Sequence, residues 1–229
     1  EEKKNAISAQ LSHAVAAFIC PTRRPADPYP SLDNSGAPNQ PPHNANPSPA
    51  GLYAKTDYCA NGGLNSIGIN QGPSELCYSL YPRCLDFNAQ PAAVAQICNG
   101  VVCYRMGIKL RQISDGSSKT ALCVEKYLSA DRYLTGDHDG DDNTAYTGYD
   151  VDTIRFLNVQ PLQDKPFGAP GDNKKAAGSA HPGIVQAALC DGSVQSFNLD
   201  VEKYVWTNLA SRNNEESSNR ADKWTGNEQ

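Results

Sequence analysis

The segment LTGDHDGDDNTAYTGYDVDTIRF, Leu134 to Phe156, carries aspartates at 137, 139, 141, 142, 150 and 152. Asp137, Asp139 and Asp141 alternate around a turn glycine, Gly140, and Asp142 follows directly. Hard oxygen donors at alternate positions are what the first half of a calcium loop supplies. The twelve-residue pattern is not completed, because the glycine falls too early and the twelfth position is Gly148 rather than Glu. Asp, Asn and Gly also cluster in ordinary turns. Two readings stand: a calcium site on Asp137, Asp139, Asp141 and Asp142, or a solvated acidic loop. His138 sits among these acids, but one His without a second nearby is a weak zinc signature.

A second constellation is His181 with Asp191-Gly192, in HPGIVQAALCDGSVQSFNLD. A catalytic or metal pairing of His181 with Asp191 conflicts with strand geometry. Ten steps along a strand span roughly 30 Å at about 3.3 Å per residue. Asp-Gly favours a two-residue type I′ hairpin turn, since both turn positions need positive φ. In that register residue 190 faces 193 and His181 faces Glu202. Asp191 and Gly192 are therefore expected in the turn, with His181 anchoring the start of the strand by hydrogen bonds and a carboxylate from elsewhere near it. Ile184, Gln186 and Ala188 alternate with Val185, Ala187 and Leu189. Both faces are largely apolar, which predicts an interior strand.

The cysteines are Cys20, Cys59, Cys77, Cys84, Cys98, Cys103, Cys123 and Cys190, and none is spaced C-x-x-C. Zinc ribbons and thioredoxin-type sites thus lose their usual signature. The close pairs Cys77/Cys84 and Cys98/Cys103 read as a stapled loop region in an oxidising, exported setting. The other reading is buried apolar thiols, which suits Cys123 and Cys190 in their apolar strands. There is no H-E-x-x-H and no nucleophile elbow, and Ser117 and Ser118 have no His placed to activate them. The residues point away from an enzyme, although paired acids in the 137–152 loop leave a glycosidase open. A net charge of -5 and a pI near 5.3 argue against nucleic acid, which needs clustered Lys and Arg. The one basic run, Arg23-Arg24, lies among prolines. No stretch approaches the roughly 18 apolar residues of a membrane span.

These residues need positioning elements. Apolar spacing predicts a helix over residues 5–19, stopped by Pro21. Residues 21–50 hold nine prolines and read as an extended loop or arm. GVVCYRMG, Gly100–Gly107, reads as a strand. ALCVEKYL follows the Asp115-Gly116 turn as a strand that buries Leu122, Val124 and Tyr127. Glu125 in it is either solvent-facing or buried with a partner. After the hairpin, Asp200 is placed to cap a helix with Val201, Tyr204, Val205, Asn208 and Leu209 in register. The tail beyond Arg212 is polar.

Taken together, the motifs resemble the large prepilin-type family abundant in planctomycetes, which carries a His-x9-Asp-Gly signature. His181 and Asp191-Gly192 match it in spacing. FICPTRR at Phe18–Arg24 is similar to its Cys-Pro-Ser-Arg-like motif, and TDYCANGG at Thr56–Gly63 to its Thr-Asp-Tyr turn. ISDGSSKTALCVEK at Ile113–Lys126 and YTGYD at Tyr146–Asp150 match its Asp-Gly run, its Glu-Lys strand and its Tyr-x-Gly-x-Asp segment. Most of the cysteines lie outside the pattern, and the family's leader and long apolar N-terminal helix are expected to be missing from this fragment or processed form. The resemblance implies an α+β fold: a pilin-like antiparallel sheet, few short helices and long irregular loops. It implies one globular domain over 1–212 with a polar tail over 213–229. The expected role is a non-enzymatic structural subunit at the cell surface or outside the cell. Its partners would be copies of itself or related surface subunits, with no nucleic acid, and with membrane contact only through the missing helix. The alternative is an extracellular calcium- or glycan-binding module.

Overall fold

A computed structural model describes residues 1–33, 35–41, 45–65, 98–104 and 106–214. Cys77 and Cys84 lie outside them. In chain order the elements are α1 (Glu2–Leu11), β1 (Tyr29–Pro30), β2 (Leu52–Tyr53), β3 (Tyr58–Asn61), β4 (Ala121–Glu125), β5 (Ile154–Arg155), β6 (Leu162–Gln163), β7 (Gly178–Ser179), β8 (Ile184–Leu189), β9 (Val194–Asn198) and α2 (Lys203–Ala210). The fold is α+β, and none of its described helices is long and apolar enough to cross a membrane. The main sheet has the order β5-β3-β4-β8-β9. It is antiparallel except for the edge pair β3–β5, which is parallel.

The hairpin β8–β9 follows the periodicity of its residues. Val185, Ala187 and Leu189 are buried, while Ile184, Gln186 and Ala188 are half-buried. The inward set packs on Trp206, Leu209 and Ala210 of α2, with Cys59, Val124 and Leu157 around them. Burying Val185 and Leu189 contributes about 1.5–3 kcal/mol each. The turn differs from expectation by one residue. Leu189 pairs with Ser193 and accepts from the Gly192 N–H at 3.0 Å, so the loop has three residues, Cys190 to Gly192. Gly192, the last loop residue, has a positive φ of 89°, as in a type I turn closed by a left-handed residue. Asp191 Oδ1 accepts from the Ser193 N–H and Oγ–H, which fixes that turn.

Other expectations shift for local reasons. The first helix ends at Leu11, not near Pro21, because Ala54 N–H takes the Leu11 carbonyl at 2.7 Å and Ser12 Oγ donates to Leu52 O at 2.8 Å. Residues 100–104 are not a strand. Cys98 and Cys103 are disulfide-bonded with Cα atoms 6.0 Å apart, and Arg212 donates to the Cys98 and Gly100 carbonyls, folding the segment back on itself. Val124 in β4 and Tyr127 just after it are buried as expected, but Leu122 is exposed and Glu125 is buried. The closing helix starts after Glu202 rather than at Asp200. It buries Trp206, Leu209 and Ala210, leaving Tyr204 and Val205 exposed.

Beside the apolar core lies a second, charged interior. Arg24 donates through Nη1 to Asp141 Oδ2 (2.6 Å) and through Nη2 to Asp57 Oδ1 (2.5 Å) and Asp141 Oδ1 (3.1 Å). Arg23 donates through Nε to Asp164 (2.8 Å) and through Nη2 to the carbonyls of Lys126 (2.6 Å) and Gly178 (3.3 Å). Lys126 Nζ reaches Asp141 Oδ1 at 2.8 Å and the Gly140 carbonyl at 2.9 Å. Every side chain in these pairs is at most 2 % exposed. Burial alone would lower the pKa of Arg23 and Arg24, but Asp164 and Asp57 beside Arg23, and Asp141 beside Arg24, more than offset it and both are raised. Burial pushes Asp141 up, yet Arg24 and Lys126 hold it far below the usual carboxylate range. Lys55, donating to the Asp141 and Asn143 carbonyls, is lowered to about 8 by burial.

Two outcomes follow. Arg24→Ala leaves two buried carboxylates short of a partner, and the loss expected by urea unfolding is about 3–5 kcal/mol; a variant within 1 kcal/mol of the parent would contradict the geometry. His138 is buried, accepts from the Gly140 N–H at Nδ1, and is lowered to about 4 by burial. Its folded value lies below the ordinary 6.5, so the neutral ring is favoured. That stability is complete above pH 6.5 and is lost as pH falls toward 4, by a few kcal/mol (~3). Urea midpoints between pH 7 and 4 should fall less steeply in His138→Gln than in the parent.

Candidate functional site

Three elements meet at one point: the loop after the 3-10 turn Ala16–Phe18, the end of β4, and the segment between β7 and β8. They bring Cys20, Glu125 and His181 together. Cys20 Sγ lies 3.7 Å from His181 Nε2, and Glu125 Oε1 lies 3.5 Å from the same nitrogen. The three donor atoms are all within 4.8 Å of one another, and no other such group of three occurs among the described residues.

Each member is held by its surroundings. The Cys20 N–H donates to Asp57 Oδ2 at 2.8 Å, so the carboxylate that binds Arg24 also sets the thiol. Glu125 is fully buried, and its Oε2 accepts from Ser179 Oγ (2.9 Å) and the Gln186 N–H (2.8 Å). Its Oε1 is buried and makes no hydrogen bond. Ser179 Oγ also accepts from the His181 N–H at 3.0 Å, linking the two residues. Gly178 is required next to it, because a Cβ there would stand 2.5 Å from Leu162 O and 2.8 Å from Tyr127 Cβ. The His181 side chain is 29 % exposed, so the cluster opens to solvent on that side. Tyr58, paired with Glu125 across β3–β4, is half-buried. Its phenol is pushed up by burial first, then by Cys20 and Glu125.

Thiol, imidazole and carboxylate can form a nucleophile relay or hold a cation. A relay uses one ring nitrogen for the nucleophile and the other for the orienting acid. Here both neighbours approach Nε2, so one proton cannot serve both. This convergence is the arrangement that could hold a metal.

The residues singled out by sequence fall in different places. Asp191 and Gly192 are in the exposed hairpin turn, away from His181. Glu202, the residue expected opposite His181, is exposed at the start of α2, and Glu125 takes the place beside the imidazole. The one-residue-longer turn and the end of pairing at Ile184–Asn198 account for that difference. Asp137, Asp139, Asp141 and Asp142 do not form one oxygen cage. Asp137 pairs with Arg132, Asp139 with Lys174, Asp141 with Arg24 and Lys126, and Asp142 accepts from Asn39. Asp142 is raised by burial, and Asp152 is raised well above the ordinary value, by burial first and also by Asp150 and Asp142. Cys20 and Glu125 each stand in a motif noted in the sequence, but nothing in their spacing, 105 and 56 residues apart along the chain to the next member, joins them to His181.

The fold and site define an α+β domain whose sequence motifs converge on a buried ionic frame and one thiol–imidazole–carboxylate cluster. The chain belongs to a family described as a protein of unknown function (DUF1559), whose profile matches residues 1–203. No curated protein and no solved structure matches it.

Among the described residues four thiols are free, and they differ in access. Cys123 and Cys190 are half-buried, whereas Cys20 and Cys59 are buried, and burial pushes the Cys59 thiol up to about 12. Alkylation of the native protein should label Cys123 and Cys190 at least tenfold faster than Cys59, read by peptide mass spectrometry; equal rates would contradict this placement.

Proposed function

We propose that this protein is a non-enzymatic structural subunit of the cell surface or extracellular space, of the pilin or pseudopilin kind, assembling with copies of itself or related subunits. The observation that carries the reading is the use made of the motif residues. Arg23, Arg24, Asp57 and Lys126 come from three of the motifs that resemble the prepilin-type family, and all are spent inside the domain, on one another, on Asp141 and Asp164, and on backbone groups. Residues that build a frame in this way serve shape and durability. The Cys98–Cys103 disulfide suits an exported setting. A net charge of -5 disfavours binding to the phosphates of nucleic acid. Any membrane attachment would run through a prepilin-type helix outside these 229 residues.

The test is made in cells that produce the protein. Surface protease accessibility, recovery in the sheared extracellular fraction and cross-linking on intact cells should place it outside, in contact with copies of itself or related subunits. Retention in the cytoplasm, or a monomer without cross-linked neighbours, would overturn the reading.

A further inference from the structure

We propose that Cys20, Glu125 and His181 bind a zinc ion, with Sγ, Oε1 and Nε2 as ligands and a fourth position open toward solvent. The distances fit. Zinc takes thiolate at about 2.3 Å, imidazole at about 2.0–2.1 Å and carboxylate at about 2.0–2.2 Å in tetrahedral geometry. Tetrahedral angles then put sulfur about 3.6 Å from nitrogen and nitrogen about 3.4 Å from oxygen. The corresponding separations are 3.7 Å and 3.5 Å. Both separations at the imidazole nitrogen thus match a tetrahedral ion, and the third, sulfur to carboxylate oxygen, lies within 4.8 Å.

The surroundings point the same way. Glu125 is fully buried, and both hydrogen bonds it accepts go to Oε2. Oε1 is left without a hydrogen bond, facing the imidazole and the thiol. A buried carboxylate oxygen without a partner is costly, and a cation at this point removes that cost. Metal ligands are oriented by an outer set of hydrogen bonds. Here Asp57 holds the Cys20 backbone, and Ser179 ties Glu125 to His181. The mixture of thiolate, imidazole and carboxylate suits zinc better than calcium or magnesium, which prefer oxygen alone. On binding, the Cys20 thiol gives its proton to solvent and the sulfur donates as thiolate, while His181 binds as neutral imidazole. Three protein ligands and one free position are the pattern of zinc sites that accept a water or another donor. Because His181 is on the exposed side, that donor would come from solvent or from a partner's side chain.

The experiment uses the full chain with its disulfide intact, handled without reductant under an inert atmosphere, with zinc added in calorimetric titration against a competing chelator, and with cobalt as a spectroscopic probe. One zinc per chain is expected, together with a near-ultraviolet sulfur-to-cobalt charge-transfer band. His181→Ala, at a part-exposed position, should retain the parent's circular dichroism and bind at least about 100-fold more weakly. Cys20→Ser should lose the band, and Cys190→Ser should keep both band and affinity. No zinc uptake by the parent overturns the proposal. So does undiminished binding by folded His181→Ala, or transfer of the loss to Cys190→Ser, since either would place the ion at other thiols.

Discussion

The fork of Arg24 between Asp57 and Asp141 is the interaction on which the rest of the molecule depends. A guanidinium can bridge two carboxylates because its donors lie in one plane at fixed angles. Here that plane joins the loop after the first 3-10 turn to the start of β3 and to the acidic loop. Each carboxylate is then reused. Asp57 also fixes the backbone of Cys20, and Asp141 also receives Lys126, the neighbour of Glu125. Arg23 closes the arrangement by holding the Lys126 and Gly178 carbonyls, one on each side of the β4–β7 contact. The ionic frame therefore sets the positions from which the thiol, the carboxylate and the imidazole converge. Moving one of the charges would displace the site before it displaced the apolar core under α2.

Such a frame is a costly way to fill an interior. Each ion loses its water, and well-packed apolar groups often stabilise as much. What the ions provide is a fixed arrangement. A leucine can slide in a core, but Arg24 has few positions in which three carboxylate oxygens are all satisfied. The use of backbone carbonyls by Arg23, Lys55, Lys126 and Arg155 serves a similar end, because loops without regular hydrogen bonding need side chains to complete them. This is how a chain with short strands and long proline-rich connections holds one conformation around its sheet.

The sequence was most legible where its signal was local. The β8–β9 hairpin could be read from its alternation and from Asp-Gly, with only the loop length misjudged, because a three-residue turn also ends on glycine. The strand around Val124 was readable for the same reason. The acidic loop was not. Asp137 to Asp142 look alike along the chain, but Arg24 and Lys126 internalise Asp141 while Asp139 stays near the surface with Lys174. Arg23-Arg24 looked like an isolated basic pair among prolines, and their partners lie far along the chain. Glu125 had two open readings, and the choice between them rested on Ser179 and Gln186, neither of which marks itself in sequence. The cluster was hidden for that reason: its three members are recognisable singly, and only tertiary contacts join them.

The spacing of these contacts has a kinetic side. Arg24 meets Asp141 across 117 residues, Arg23 meets Asp164 across 141, and Cys20 meets His181 across 161. Loop-closure entropy must be overcome before such distant contacts give anything back, so folds dominated by them form slowly. During synthesis the two arginines emerge long before any of the residues that neutralise them except Asp57. Their ion pairs can therefore be completed only after residue 164 has been made.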